Sequence, residues 1–107
     1  MDGVFITGTD TGVGKTLVSA GLLKLIHGSR KVVYWKPIQT GTIVSDDTKE
    51  VQGLTGCPAE CFVEPSYRFP EPLSPHVAAE KWGKTIEVAH IVETFRKQKA
   101  AGNFVIV

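Results

Sequence analysis

Apolar and polar positions change period several times along the chain, and each change marks an element. Val4-Phe5-Ile6-Thr7 is a short apolar, β-rich run that meets a turn at Gly8, and it predicts a buried strand. From Lys15 the period lengthens. Leu17, Val18, Leu22, Leu25 and Ile26 recur at helical spacing, and Gly28 follows as a stop. Lys31-Val32-Val33-Tyr34-Trp35 predicts a second strand, ended by Lys36-Pro37. Strand, helix and strand within about 30 residues form a βαβ unit, hence a parallel pair with a right-handed crossover.

Ile38 to Ser45 reads as a loop, and a short helix from Asp46 to Leu54 has Ser45 as its expected N-cap. Thr55 to Pro75 carries Pro58, Pro65, Pro70, Pro72 and Pro75 and reads as mostly irregular. A short helix follows over Pro75 to Lys81. Thr85 can cap a longer one with Ile86, Val88, Ala89, Ile91, Val92 and Phe95 on its buried side. Its other face carries Glu87, Glu93, Arg96, Lys97 and Lys99. Gly102 stops it, and Phe104 to Val107 makes a third strand, at which the chain ends.

Composition narrows the function classes. A chain of 107 residues reads as a single domain. Its 42% hydrophobic and 21% charged residues are ordinary globular usage. A net charge of +1 gives no field that would advertise a nucleic-acid or membrane partner. The start, Met1-Asp2-Gly3-Val4, lacks a signal peptide's basic and apolar regions, and no apolar window is long enough to span a bilayer. Cys57 and Cys61 have no second pair to complete a zinc site, so they read as reduced thiols in a loop. A soluble, cytoplasmic protein is expected.

The chemistry is concentrated in Gly8-Thr9-Asp10-Thr11-Gly12-Val13-Gly14-Lys15-Thr16, between a predicted strand and a predicted helix. Backbone N–H groups there can wrap a polyphosphate, and the helix N-terminus adds the positive end of its dipole. Gly12 and Gly14 remove side chains where phosphate oxygens come close. Lys15 can charge-pair with the β/γ-phosphates, and the Thr16 hydroxyl is placed for Mg2+. The spacing is G-x5-G-K-T, one residue longer than the usual P-loop. The fold class is therefore α/β, a P-loop NTPase-type parallel sheet of about three strands with flanking helices.

A second cluster, Lys36-Pro37-Ile38-Gln39-Thr40-Gly41, begins where the second strand ends. Ligands collect outside the carboxyl ends of parallel strands, so Lys36 lies toward the same edge as the loop. It is either a second cation for a transferred phosphoryl group or a surface lysine before a Pro turn. Asp46 and Asp47 follow, as a metal carboxylate or as first-turn acids favoured by the helix dipole.

Together these residues resemble dethiobiotin synthetase, the ATP-dependent ring-closing enzyme family of biotin synthesis. G-T-D-T-x-V-G-K-T at Gly8 to Thr16 is similar to its phosphate loop, extra residue included. K-P-I-Q-T-G at Lys36, S-D-D at Ser45 and E-P-L-S-P-H at Glu71 to His76 resemble its later motifs in the same order. The resemblance implies ATP and Mg2+ as cofactors, with 7,8-diaminononanoate and CO2 as substrates. It implies nucleotide contacts from Gly12, Val13, Gly14, Lys15, Thr16, Leu17 and Asp47, and substrate contacts from Thr11, Lys36 and Thr40. Lys15 and Lys36 would be the catalytic cations. Thr16 and Asp47 would hold the metal, with Asp46 possible in place of Asp47. A homodimer is implied for the complete chain, and neither nucleic acid nor a membrane as a partner.

The sequence also departs from the family. Gly12 stands where some members carry Glu. The family's third strand runs into E-G-A-G-G, whose Glu is a metal ligand, and this chain stops at Val107. The expectation is an N-terminal portion with an unfinished sheet, its third strand at an open edge, a marginal fold and poor activity alone. Two other P-loop readings compete: a cobyrinic acid a,c-diamide synthase type of ligase, and a ParA/MinD-like partitioning ATPase. Lys36-Pro37 argues against the first, and Thr9-Asp10-Thr11, in place of a signature lysine, against the second. His76, Trp35 and Trp82 read as structural or packing residues, and Glu64 and Glu71 receive no role.

Overall fold

The computed structural model describes residues 3–7, 14–43 and 45–107. The short strands Gly3–Val4 (β1), Val32–Trp35 (β2) and Phe62–Val63 (β4) join Phe104–Ile106 (β6) in a four-stranded parallel sheet. A second, two-stranded parallel sheet pairs Ile38–Gln39 (β3) with Tyr67–Arg68 (β5). The helices are Lys15–His27 (α1), Asp47–Thr55 (α2), Pro75–Lys81 (α3) and Val88–Ala100 (α4).

The main sheet runs β1-β6-β2-β4. This corrects the expected topology. The last strand lies inside the sheet, between the two strands of the presumed βαβ pair, and not at an open edge. Val33 and Val105 sit side by side in that register, as do Val105 and Gly3. A Cβ added to Gly3 would lie 2.4 Å from the Val105 carbonyl oxygen, so this close approach needs glycine. Beyond β1 the pairing continues, with the Ile6 N–H donating to the Val107 carbonyl at 2.8 Å.

Alternation along β2 explains why the sheet is buried on both faces. Val32 and Tyr34 point into a cluster with Ala20, Leu23, Val51, Phe104 and Ile106, under α1 and α2. Val33 and Trp35 point the other way, with Val105, toward Ile91 and Phe95 of α4. A third cluster joins Phe69, Ala78 and Ala79 to Ile38 and Tyr67, seating α3 on the small sheet.

Several apolar positions face differently from expectation. On α1 the buried residues are Ser19, Ala20 and Leu23, while Leu17, Val18 and Leu25 are exposed. Helix α4 starts at Val88 and no side chain caps it, so Thr85 is not its N-cap. It has no fully buried residue; Val88 and Val92 are exposed, and Ile91 and Phe95 are half-buried. Residues 55–75 are mostly irregular, as expected, and supply the short strands β4 and β5 and a 3-10 turn at Ala59–Cys61. Ile38–Gln39 is a strand, not a loop. Trp35 is buried as expected, but Trp82 is half-exposed, and its indole N–H donates to Glu71 Oε2 at 2.8 Å. That bond, followed by Lys81, holds the Glu71 carboxyl below its ordinary range. Cys57 and Cys61 are free thiols, as expected, and both are buried. Among the described residues no helix is long and apolar enough to cross a membrane.

Candidate functional site

The carboxyl ends of three strands converge on one cavity of about 270 Å³. Phe5 and Ile6 follow β1, Val107 follows β6, and Lys36 and Pro37 follow β2. Lys15, Thr16 and Ser19 of α1 form one wall, and Tyr34, Ile38 and Asp47 close the others. This is the crevice in which open α/β sheets hold ligands.

Gly14 is the N-cap of helix α1, and its φ of 80° is left-handed backbone that glycine adopts without strain. Its carbonyl accepts from the Val18 N–H at 2.8 Å, so the helical ladder starts at the loop's end. Lys15 and Thr16 are then first-turn residues, with the N–H groups of a helix start beside them. Two lysines and a hydroxyl thus meet at one edge. Thr11, Gly12 and Val13, the other loop residues implied as contacts, lie outside the described residues.

Lys36 is paired with the Asp47 carboxylate. Both side chains are about a third exposed or less, so the pair faces the cavity without being sealed from water. Asp46 points elsewhere. Its Oδ1 accepts from the Thr48 and Lys49 N–H groups at 3.0 and 3.2 Å, and Oδ2 pairs with Arg68. Asp46, and not Ser45, is therefore the N-cap of α2. Burial acts to raise its pKa, but the Arg68 hydrogen bond, the two backbone amides and the Arg68 charge outweigh it and hold the carboxyl low. Of the two aspartates considered from sequence, only Asp47 lines the cavity.

Leu17 and Thr40 are not among the cavity-lining residues. Leu17 is exposed on the outer side of α1, and the Thr40 carbonyl accepts from Gln39 Nε2 at 2.7 Å. Sequence reasoning missed Ser19 and Tyr34. Both carried a signal: Ser19 is four residues after Lys15 on one helix face, and Tyr34 is two before Lys36 along one strand face. Burial, then the charges of Asp47, Asp46 and Glu50, push the Tyr34 pKa up, so its phenol stays protonated.

The donor set suits a hard cation. Thr16 and Asp47 offer two oxygens, and among the described residues no three His, Cys, Asp or Glu side chains come together. Mg2+ takes few protein oxygens and completes its shell with phosphate and water, so this sparse set fits it and would suit zinc poorly.

A protein-family model described as an AAA domain matches residues 2–107. The chain is similar to the ATP-dependent dethiobiotin synthetase BioD of Rhodopseudomonas palustris (strain BisA53), 47% identical over 88 residues, or 82% of this chain and 39% of that protein. It is 48% identical over 84 residues to the protein of the same name from Nitrobacter hamburgensis, covering 78% of this chain and 38% of that one. For the Chlamydia pneumoniae protein of that name the figures are 45% over 91 residues, 85% and 38%. The resemblance read from the motifs is thus matched over most of the chain. The chain spans about two-fifths of the length of these curated relatives.

Proposed function

The chain belongs to the AAA domain family, and from that premise we propose that it is the ATP-binding part of a dethiobiotin synthetase. The observation that carries the reading is the meeting of Lys15, Thr16, Lys36 and Asp47 in one cavity at the strand ends. The named relatives supply the reaction class.

In this reading one amine of 7,8-diaminononanoate takes up CO2 to give a carbamate and a proton. A carbamate oxygen receives the γ-phosphoryl group of ATP, forming a carbamic–phosphoric anhydride and ADP. The second amine then attacks the carbonyl carbon, the ureido ring closes, and phosphate leaves. Phosphoryl transfer of this kind needs positioning and charge neutralisation more than a protein nucleophile. Lys15 would bind the β/γ-phosphate oxygens. Lys36, which lines the same cavity, would face the carbamate and the transferred group. Thr16 and Asp47 would hold Mg2+, which when bound neutralises phosphate charge. Asp47 also holds the Lys36 ammonium at the cavity wall while no substrate is bound. The Tyr34 phenol can donate a hydrogen bond into the cavity.

The proposal retains Gly12, Val13, Gly14 and Leu17 as nucleotide contacts and Thr11 and Thr40 as substrate contacts. A cytoplasmic homodimer of the complete protein belongs to the same reading. The test is ADP release by the full protein. Diaminononanoate with bicarbonate should stimulate it, and Lys15→Gln or Lys36→Met should each lower it by about a hundredfold or more, the scale of losing one electrostatic stabiliser. Stimulation by cobyrinic acid and glutamine in their place would overturn the reading.

A further inference from the structure

The first turn of α2 has an unusual hydrogen-bond account. The opening N–H groups of a helix lack partners in their own ladder. Here the Asp46 side chain takes those of Thr48 and Lys49, and the Asp46 carbonyl takes that of Glu50 at 2.9 Å. The Asp47 N–H remains. It donates to Gln39 Oε1 at 3.1 Å, a side chain from another element. The same carboxamide donates through Nε2 to the Thr40 carbonyl at 2.7 Å, which fixes its orientation. Gln39 is only 3% exposed, so it has little room to swing away.

Its neighbour in the small sheet completes the arrangement. Gln39 lies opposite Arg68 in the β3–β5 register. Arg68 holds the Asp46 carboxylate and Gln39 holds the Asp47 backbone. Two adjacent side chains of one sheet therefore grip two consecutive residues at the start of α2. What this grip aims is the Asp47 carboxylate, which pairs with Lys36 at the cavity wall.

We propose that Gln39 is a positioning residue of the site: its carboxamide pins the first turn of α2 and thereby sets where Asp47 meets Lys36. The inference rests on the reading of the cavity given above. Gln39 acts through Asp47 and contacts neither phosphate nor substrate. The small sheet, separate from the main one, thus becomes part of the catalytic framework.

The test uses the full protein with Gln39→Met, Asp47→Asn and the double variant. Three quantities are measured: steady-state ADP release, the rate at which an acylating reagent modifies Lys36 (followed by peptide mass spectrometry), and Tm. Methionine keeps the length and removes both hydrogen bonds. Displacing a catalytic framework by a fraction of an ångström to an ångström costs about ten- to a hundredfold in turnover. Q39M should show a loss of that order in kcat and faster Lys36 modification, in the direction of D47N. The double variant should be no worse than D47N, because both changes act on one contact. Gln39→Glu keeps the acceptor for the Asp47 N–H and should recover most of the kcat lost in Q39M, which also covers poor folding of Q39M. A Q39M protein with lower Tm but wild-type kcat and Lys36 modification would overturn the proposal, as would additive losses in the double variant or a Q39E protein as slow as Q39M. If D47N itself turns over normally, the reading of the cavity fails, and the role of Gln39 with it.

Discussion

Replacing Asp46 should separate its two jobs. Asp46→Ala removes the acceptor for two backbone amides, at 3.0 and 3.2 Å, and the partner of Arg68. Loss of an N-cap costs about 1 kcal/mol. The Arg68 side chain is 34% exposed while that of Asp46 is 7% exposed. A charge-assisted hydrogen bond of about 1.5–3 kcal/mol must therefore be discounted for solvent screening, to about 1 kcal/mol. The alanine variant should lose about 2 kcal/mol in all. Asp46→Asn keeps a capping oxygen but turns an amide toward Arg68, so it should lose about 1 kcal/mol. With a urea m-value of about 2 kcal/mol/M, the midpoints fall by about 1 M and 0.5 M at pH 7. The pH dependence follows from the sign of the shift. The Asp46 carboxyl is held below its ordinary range in the folded state. Its charge therefore stabilises the fold above the unfolded value of about 3.9, and that contribution is lost as pH falls through the folded value. The gap between wild type and D46N should shrink as the acid limb is entered. A D46N midpoint equal to wild type at pH 7, or a gap that widens in acid, would refute the reasoning.

Three further outcomes follow from the same structure. Tyr34→Phe should hold its stability better in alkali. Because the folded phenol titrates above its unfolded value of about 10, wild-type stability falls as pH rises through that region, and urea midpoints at pH 7 and 11 will show whether the variant loses less. Leu23→Ala, at a fully buried position, should cost about 2–5 kcal/mol, whereas the exposed Leu25→Ala should stay within about 0.5 kcal/mol; similar losses in the two would contradict the observed face of α1. Trp82→Phe removes the leading cause that holds the Glu71 carboxyl down, so the Glu71 side-chain carbon, followed by NMR, should titrate at higher pH than in wild type.

The sequence was most informative where local chemistry decides structure. Pro75 starts a short helix, because proline suits the first helical turn, and Gly28 follows α1 as expected, in right-handed backbone that any residue adopts. Val32–Trp35 was legible as a strand from its β-rich apolar run. Strand order was not, because a neighbour in a parallel sheet is chosen by packing over long separations. Nothing local to Phe104–Ile106 says that it inserts between β1 and β2. The faces of α1 and α4 misled for a related reason. Periodicity marks an apolar stripe, but contact decides burial: Ser19, Ala20 and Leu23 are buried, while Leu17, Val18 and Leu25 are exposed. At the site, Lys15, Thr16, Lys36 and Asp47 could be chosen from motif and resemblance. Gln39 and Arg68 could not, since their role appears only when the two-residue strands β3 and β5 pair.

The central claim is that this cavity belongs to an enzyme that closes a ureido ring with ATP. The most direct measurement supplies the full protein with ATP, Mg2+, 7,8-diaminononanoate and 13C-bicarbonate, and analyses the product by mass spectrometry. The account predicts dethiobiotin carrying one 13C at the ureido carbon, formed one-for-one with ADP and lost in Lys15→Gln. ATP hydrolysis with no labelled ring product would contradict it.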